Sequence, residues 1–141
     1  MQSKELLLKE IENRFLTKKD LINKKKLLIL CGDYSSTSQM RGTLPVPNVG
    51  FKKLLSRRFQ MLEINEYNTS RIYNKNFKEL ESVTIKKKKH KKRLHEILTL
   101  KDKNERPIFV NRDCNACKNI LLLGKHFLNT QTRHIQFCRK P

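Results

Sequence analysis

Asn111-Arg112-Asp113-Cys114-Asn115-Ala116-Cys117-Lys118-Asn119-Ile120 is the stretch on which the reading of this chain turns. Residues 113–123 place Ala116, Ile120, Leu121 and Leu123 at helical spacing, which predicts a helix with Gly124 as its stop. Working back from it, residues 67–110 are polar and irregular. Phe59, Met61, Leu62 and Ile64 then read as a strand that ends near Asn65-Glu66. Phe51, Leu54 and Leu55, interleaved with Lys52, Lys53, Arg57 and Arg58, predict a short basic helix. Residues 34–50 are rich in Ser, Thr, Gly and Pro, which is loop chemistry. The continuous apolar run Leu27-Leu28-Ile29-Leu30-Cys31, ended by Gly32-Asp33, reads as a buried strand. Before the basic residues 18–26, Leu7, Leu8, Ile11 and Phe15 share one face of a helix over residues 3–16. Helix, strand, helix, strand, long insert, helix is an α/β order.

The chain has 141 residues, room for one domain, and its hydrophobic share of 37% limits the core. Thirty-two Lys and Arg against 13 Asp and Glu leave a formal charge of +19. Such a chain repels itself unless a polyanion is near, so nucleic acid, DNA or RNA, is the expected partner. A ribosomal-type or membrane-surface protein is the plainer alternative. The charge is densest at Lys86, Lys87, Lys88, Lys89, His90, Lys91, Lys92 and Arg93. This run is a solvated charge cluster on the plain reading. It would also track phosphates or act as a nuclear signal, and with no aromatic inside it, binding would be independent of base sequence. No signal peptide and no apolar run of about 18 residues is seen, so no membrane span is expected. The four cysteines, Cys31, Cys114, Cys117 and Cys138, are expected as free thiols in a reducing intracellular setting, the nucleus if the source is eukaryotic.

Two segments carry a family resemblance. Ile64-Asn65-Glu66-Tyr67-Asn68-Thr69-Ser70-Arg71-Ile72 is similar to the D-E-F-R-T-S-K-L stretch that precedes the zinc-ribbon cysteines of TnpB and Fanzor nucleases. The opening stretch resembles their N-R-D-V-N-A-A-x-N-I motif. A weaker echo of the same family lies in Gly32-Asp33-Tyr34-Ser35 and in residues 43–47. Over about residues 27–123 the resemblance implies a partial RNase H-like (RuvC-like) unit with a long basic insert. It also implies the activity of a metal-dependent endonuclease. Asp113 would then be the third acid, Glu66 the acid after the second strand, and Asp33 a stand-in near the second-acid position. Such acids hold Mg2+ or Mn2+, which activates water and stabilises the leaving oxygen of a phosphodiester. Without the resemblance, Asp113 caps a helix, Glu66 is a surface residue and Asp33 a turn residue.

The chain departs from the family in several places. The first acid belongs on an upstream strand, and residues 1–26 offer only a helix and a basic linker, with Asp20 in a Lys-rich setting. The family's guide-RNA-binding regions have no counterpart either. Where the first zinc pair should fall the chain reads Tyr73-Asn74-Lys75-Asn76, and near the second Glu96-Ile97-Leu98-Thr99-Leu100, so no zinc is expected. Cys114-Asn115-Ala116-Cys117, with His126, His134 and Cys138 downstream, invites a zinc-finger reading. The motif instead puts both cysteines at apolar helix positions, which predicts core residues. The expected organisation is a helix and basic linker over 1–26, then a nuclease-like domain over 27–124 with a degenerate zinc-ribbon insert over 67–110. A basic tail over 125–141 completes it, where Arg133, His134, Arg139 and Lys140 extend the charge and Phe127, Ile135 and Phe137 pack back. Two functions fit. One is a truncated or split nuclease fragment that binds nucleic acid and is inactive without a separately encoded N-terminal part. The other is a non-catalytic basic DNA- or RNA-binding protein.

Overall fold

In the computed structural model the described residues are 2–33, 48–87 and 90–139. Tyr34, Ser35, residues 43–47, Lys88, Lys89 and Lys140 therefore lie outside the described residues. The chain divides into two units, Met1–Glu63 and Ile64–Pro141. The elements run α1 (Gln2–Phe15), α2 (Lys18–Ile22), β1 (Leu28–Gly32), α3 (Asn48–Ser56), β2 (Gln60–Ile64), β3 (Glu81–Lys87), β4 (His90–Lys101), β5 (Pro107–Asn111) and α4 (Arg112–Thr130), closing on a 3-10 turn, Ile135–Phe137. β1 and β2 form one sheet, and β3, β4 and β5 form another in that order. The architecture is mixed α/β with small sheets.

In the first unit, Leu8 of α1 packs with Leu55 and Phe59, and Ile11, Leu27, Ile29, Leu54 and Met61 close around them. The apolar stripe expected on α1 is narrower than its spacing implied. Leu7 is 38% exposed and Phe15 65%, so the buried contact takes only the middle of the helix. Arg58 straps that helix from outside: its guanidinium donates to Glu12 and lies 3.6 Å from Glu5. Within residues 18–26, expected as linker, α2 forms because Thr17 and Asp20 make a capping box. Lys25, then Thr17, hold the Asp20 carboxyl far below its ordinary pKa by hydrogen bonding its charged form.

The second unit corrects the expectation that residues 67–110 are irregular. They carry an antiparallel sheet in which Ile97↔Asn111, Thr99↔Phe109 and Lys101↔Pro107 pair β4 with β5. Tyr73, Leu80, Leu98 and Leu100 form its core, with Ile108 and Val110 against them. Tyr73, at the first of the expected zinc-pair positions, is buried in this apolar cluster. The β4–β5 turn is closed by Asp102, whose Oδ1 accepts from the N–H groups of Asn104 (2.7 Å) and Arg106 (2.8 Å). Helix α4 also overruns its expected stop. Gly124 is buried inside the helix, and the helix ends at Gln131, which takes the left-handed conformation (φ 57°) and donates its N–H to Phe127 O.

Of the three tail residues expected to pack back, Phe137 is fully buried, whereas Phe127 is 37% exposed and Ile135 79%. Arg133 secures the turn, donating from Nε to Phe137 O at 2.9 Å. His134 stacks on Phe77 at a ring-centroid distance of 4.9 Å and meets His126 edge-on at 5.2 Å. Among the described residues, no helix is long and apolar enough to cross a membrane.

Desolvation, then the neighbouring His126, lowers the His134 pKa from its ordinary 6.5. The unfolded state therefore binds this proton more readily. The stacking contribution is complete above pH 6.5 and is lost as pH falls below that value towards the folded pKa. Phe77 and Phe137 ring NMR signals should report loosening of the tail on acidification from about pH 7 to about pH 5. The change should be abolished in His134→Phe; identical profiles for the two proteins would refute the assignment.

Candidate nucleic-acid interface

Helix α4 begins at Asn111, whose side-chain oxygen accepts from Cys114 N–H at 2.9 Å and so supplies the N-cap. The capping role open to Asp113 is thus filled by Asn111. Asp113 is exposed in the first turn, where a negative charge suits the positive end of the helix. From this start the rotation of the helix sends Asn115 and Asn119, one turn apart, into the protein at 1% and 0% exposure. Cys114 and Cys117 are exposed, which overturns the expectation that they are core. The asparagines face inward because a turn opposite them needs donors. Residues 66–74 curl tightly, with Thr69 and Ile72 N–H bonding back to Glu66 O and Asn68 O and with Asn68 left-handed (φ 63°). The curl aims the Thr69 and Ile72 carbonyls at α4. Asn119 Nδ2 donates to both at 2.7 Å, and Asn115 Nδ2 to the same two at 3.2 and 2.8 Å. Asn115 Oδ1 in turn accepts from Asn74 N–H at 3.0 Å.

These bonds join the two segments that carry the resemblance. Glu66, half-buried, heads the turn, and Asp113 starts the helix held against it. Asp33 lies exposed after β1 in the other unit. Among the described residues, no three of His, Cys, Asp and Glu form a group that could hold a metal ion. Carboxylates at these positions are nonetheless the hard oxygen ligands that Mg2+ or Mn2+ takes.

The cation run folds back on itself. Lys86 stands opposite Lys91, Ile85 opposite Lys92, and Thr84 opposite Arg93, with Lys87 opposite His90 nearest the connection. Lys86, Lys91, Lys92 and Arg93 are all exposed. The one pair of like charges in this register, Lys86 opposite Lys91, disfavours the pairing by a few tenths to about 1 kcal/mol, and a polyanion alongside removes that penalty. The cations expected on the basic helix divide in use. Lys52 Nζ donates to Gly32 O (2.7 Å) and Glu63 (3.0 Å), and Arg58 is the strap on α1. Lys53 and Arg57 are exposed. Sequence reasoning did not single out Arg71 and Arg112, which lie at one cavity with Arg93; they come from a turn and a helix start, so no charge run announces them.

No protein-family model matches the chain, and no curated protein matches it.

Unfolding by denaturant should rank the clamp residues. Asn115→Ala removes two donated bonds and strands Asn74 N–H, costing about 1–3 kcal/mol. Asn119→Ala should cost less, because Asn115 still serves both carbonyls. Asn119→Asp should cost most at neutral pH, since it sets a carboxylate against two carbonyl oxygens. Equal tolerance of Asp and Ala at position 119 would disprove the donor role.

Proposed function

We propose that the chain is a nucleic-acid-binding protein related to the RuvC-like nuclease region of TnpB and Fanzor proteins, with an RNase H-like ancestry. On this reading it grips the phosphate backbone with the β3–β4 ribbon and cleaves nothing by itself. The observation that carries the kinship is the asparagine clamp. Asn115 and Asn119 occupy the two later asparagines of the N-R-D-V-N-A-A-x-N-I motif. The carbonyls they hold belong to Thr69 and Ile72, in the segment similar to T-S-K-L. The clamp asparagines have a packing duty, while of the first pair of expected zinc-thiolate positions Tyr73 lies in an apolar cluster and Asn76 is exposed. Within the second unit, Glu66 and Asp113 are the residues that would hold Mg2+ or Mn2+, if a partner chain supplied the remaining acids. The metal would supply water activation and charge neutralisation at the phosphodiester.

The binding reading rests on the cation-rich β3–β4 ribbon and the charge of +19. Fluorescence anisotropy with unrelated DNA and RNA sequences should give affinities that differ little with sequence. Affinity should fall steeply with salt, with a slope of about 0.9 per neutralised phosphate on duplex DNA. The variant carrying Lys86→Gln, Lys91→Gln and Lys92→Gln should lose about tenfold or more in affinity and about 2–3 units of slope. Glu66→Ala and Asp113→Ala should bind as well as wild type or slightly better, and none of the three proteins should cut with Mg2+ or Mn2+ present. A wild-type cleavage activity that disappears in Asp113→Ala would make the protein an enzyme in its own right. Failure to bind either polymer at low salt would end the nucleic-acid reading.

A further inference from the structure

The register between β3 and β4 breaks at one place. Ser82 pairs with Leu98 and Thr84 with Arg93, so Val83 alone stands opposite residues 94–97. A bulge bends its strand and re-aims the side chains around it. Here the break borders a cavity of about 710 Å3 at the root of the cationic ribbon, reaching the turn at Ser70-Arg71 and the first residue of α4. The volume lies within the range of ordinary ligand sites. Its wall has two chemistries. Leu80 and Leu98, both buried, and half-buried Leu94 make an apolar side. Arg71, Arg93 and Arg112 bring three guanidinium groups against one carboxylate, Glu81. Arg71 is already engaged with Glu79 at 2.6 Å, which leaves Arg93 and Arg112 as the principal anion donors.

A planar guanidinium matches the oxygens of a phosphate, whereas the leucines match the dry face of a base or sugar. A duplex offers the phosphates but keeps its bases stacked and paired, and extracting one means breaking both its stacking and its pairing. A single strand offers both together at little cost. We propose that this cavity holds one nucleotide of a single strand, its base against Leu80, Leu94 and Leu98 and its phosphate between Arg93 and Arg112. The proposal rests on the nucleic-acid-binding reading and adds to it a preference for unpaired strands. The ribbon beyond supplies the non-selective grip; the cavity supplies the preference.

The test compares labelled oligothymidylate, oligouridylate and a DNA duplex of equal length on the full chain. Arg112→Gln, off the ribbon, should weaken single-strand binding several-fold and cut its salt slope by about 0.7 for the phosphate no longer neutralised. Duplex affinity should hold within about twofold, since Lys86, Lys91, Lys92 and Arg93 of the ribbon remain. The substitution is at an exposed side chain, so the fold should survive, which far-UV circular dichroism and the melting midpoint will check. Leu94→Glu, which places a carboxylate on the apolar side, should produce the same selective loss. The two single strands distinguish a site that needs the 2′-hydroxyl from one that reads only phosphate and base. Equal losses on duplex and single strand, or no loss on either, would overturn the cavity assignment while leaving the ribbon as a binding surface. A wild type that binds none of the three probes removes the nucleic-acid reading, and this site with it.

Discussion

Two buried side-chain amides, Asn115 and Asn119, supply the interaction on which the second unit depends. Each amide nitrogen serves the same pair of carbonyls, Thr69 O and Ile72 O, so the turn over residues 66–74 is fixed to α4 by four donated bonds. Polar groups taken out of water without partners cost several times what a formed bond contributes, so the arrangement is close to all-or-none. Asn119 Oδ1 is buried and takes no bond among the described residues, so the side-chain bonds this amide makes are the two its nitrogen donates. The start of the three-stranded sheet hangs from this turn. Ile72 bridges to Glu79, Leu80 N–H bonds Arg71 O at 2.7 Å, and Leu80 enters the cluster with Leu98 and Leu100. The ribbon thus has its root in a hydrogen-bonded turn.

Electrostatics within the chain help that order little. Exposed pairs such as Arg71–Glu79 and Lys101–Glu105 contribute little in water. Against them stands Lys86 directly opposite Lys91, with Lys92 and Arg93 following on the same strand. A ribbon this rich in exposed cations is favoured when an anion outside balances it. That imbalance is a physical reason to look for a polyanion beyond the bare count of lysines.

Most of the first unit was legible in the sequence. A continuous apolar run marked β1, and alternating or helical spacing marked β2, α1 and α3, because each buries residues chosen locally. The second unit was not legible, for two reasons. Its strands are specified by partners distant in sequence: Tyr73 and Leu80 supply the surface on which Leu98 and Leu100 close, and the cation run hides the alternation Val83-Thr84-Ile85. The rotation of α4 was misjudged because hydrophobicity ranks cysteine above asparagine as a core residue. The carbonyls of residues 69 and 72 need donors, and that need decides the face. Gly124 misled in the same way; its small size fits a buried position in the helix, while the actual stop, Gln131, carries no glycine signal. At the candidate site the cation run was visible at once. The arginines of the cavity were not, since three separate elements deliver them.

The inward asparagines leave an outward consequence. Because α4 turns Asn115 and Asn119 to the interior, Cys114 and Cys117 stand one helical turn apart on the opposite, wetted side. Surface thiols so placed meet every passing oxidant, and two neighbouring ones give a second molecule two chances to cross-link. Handled in air, the folded chain thus offers a route to covalent cross-linking that a reductant would close.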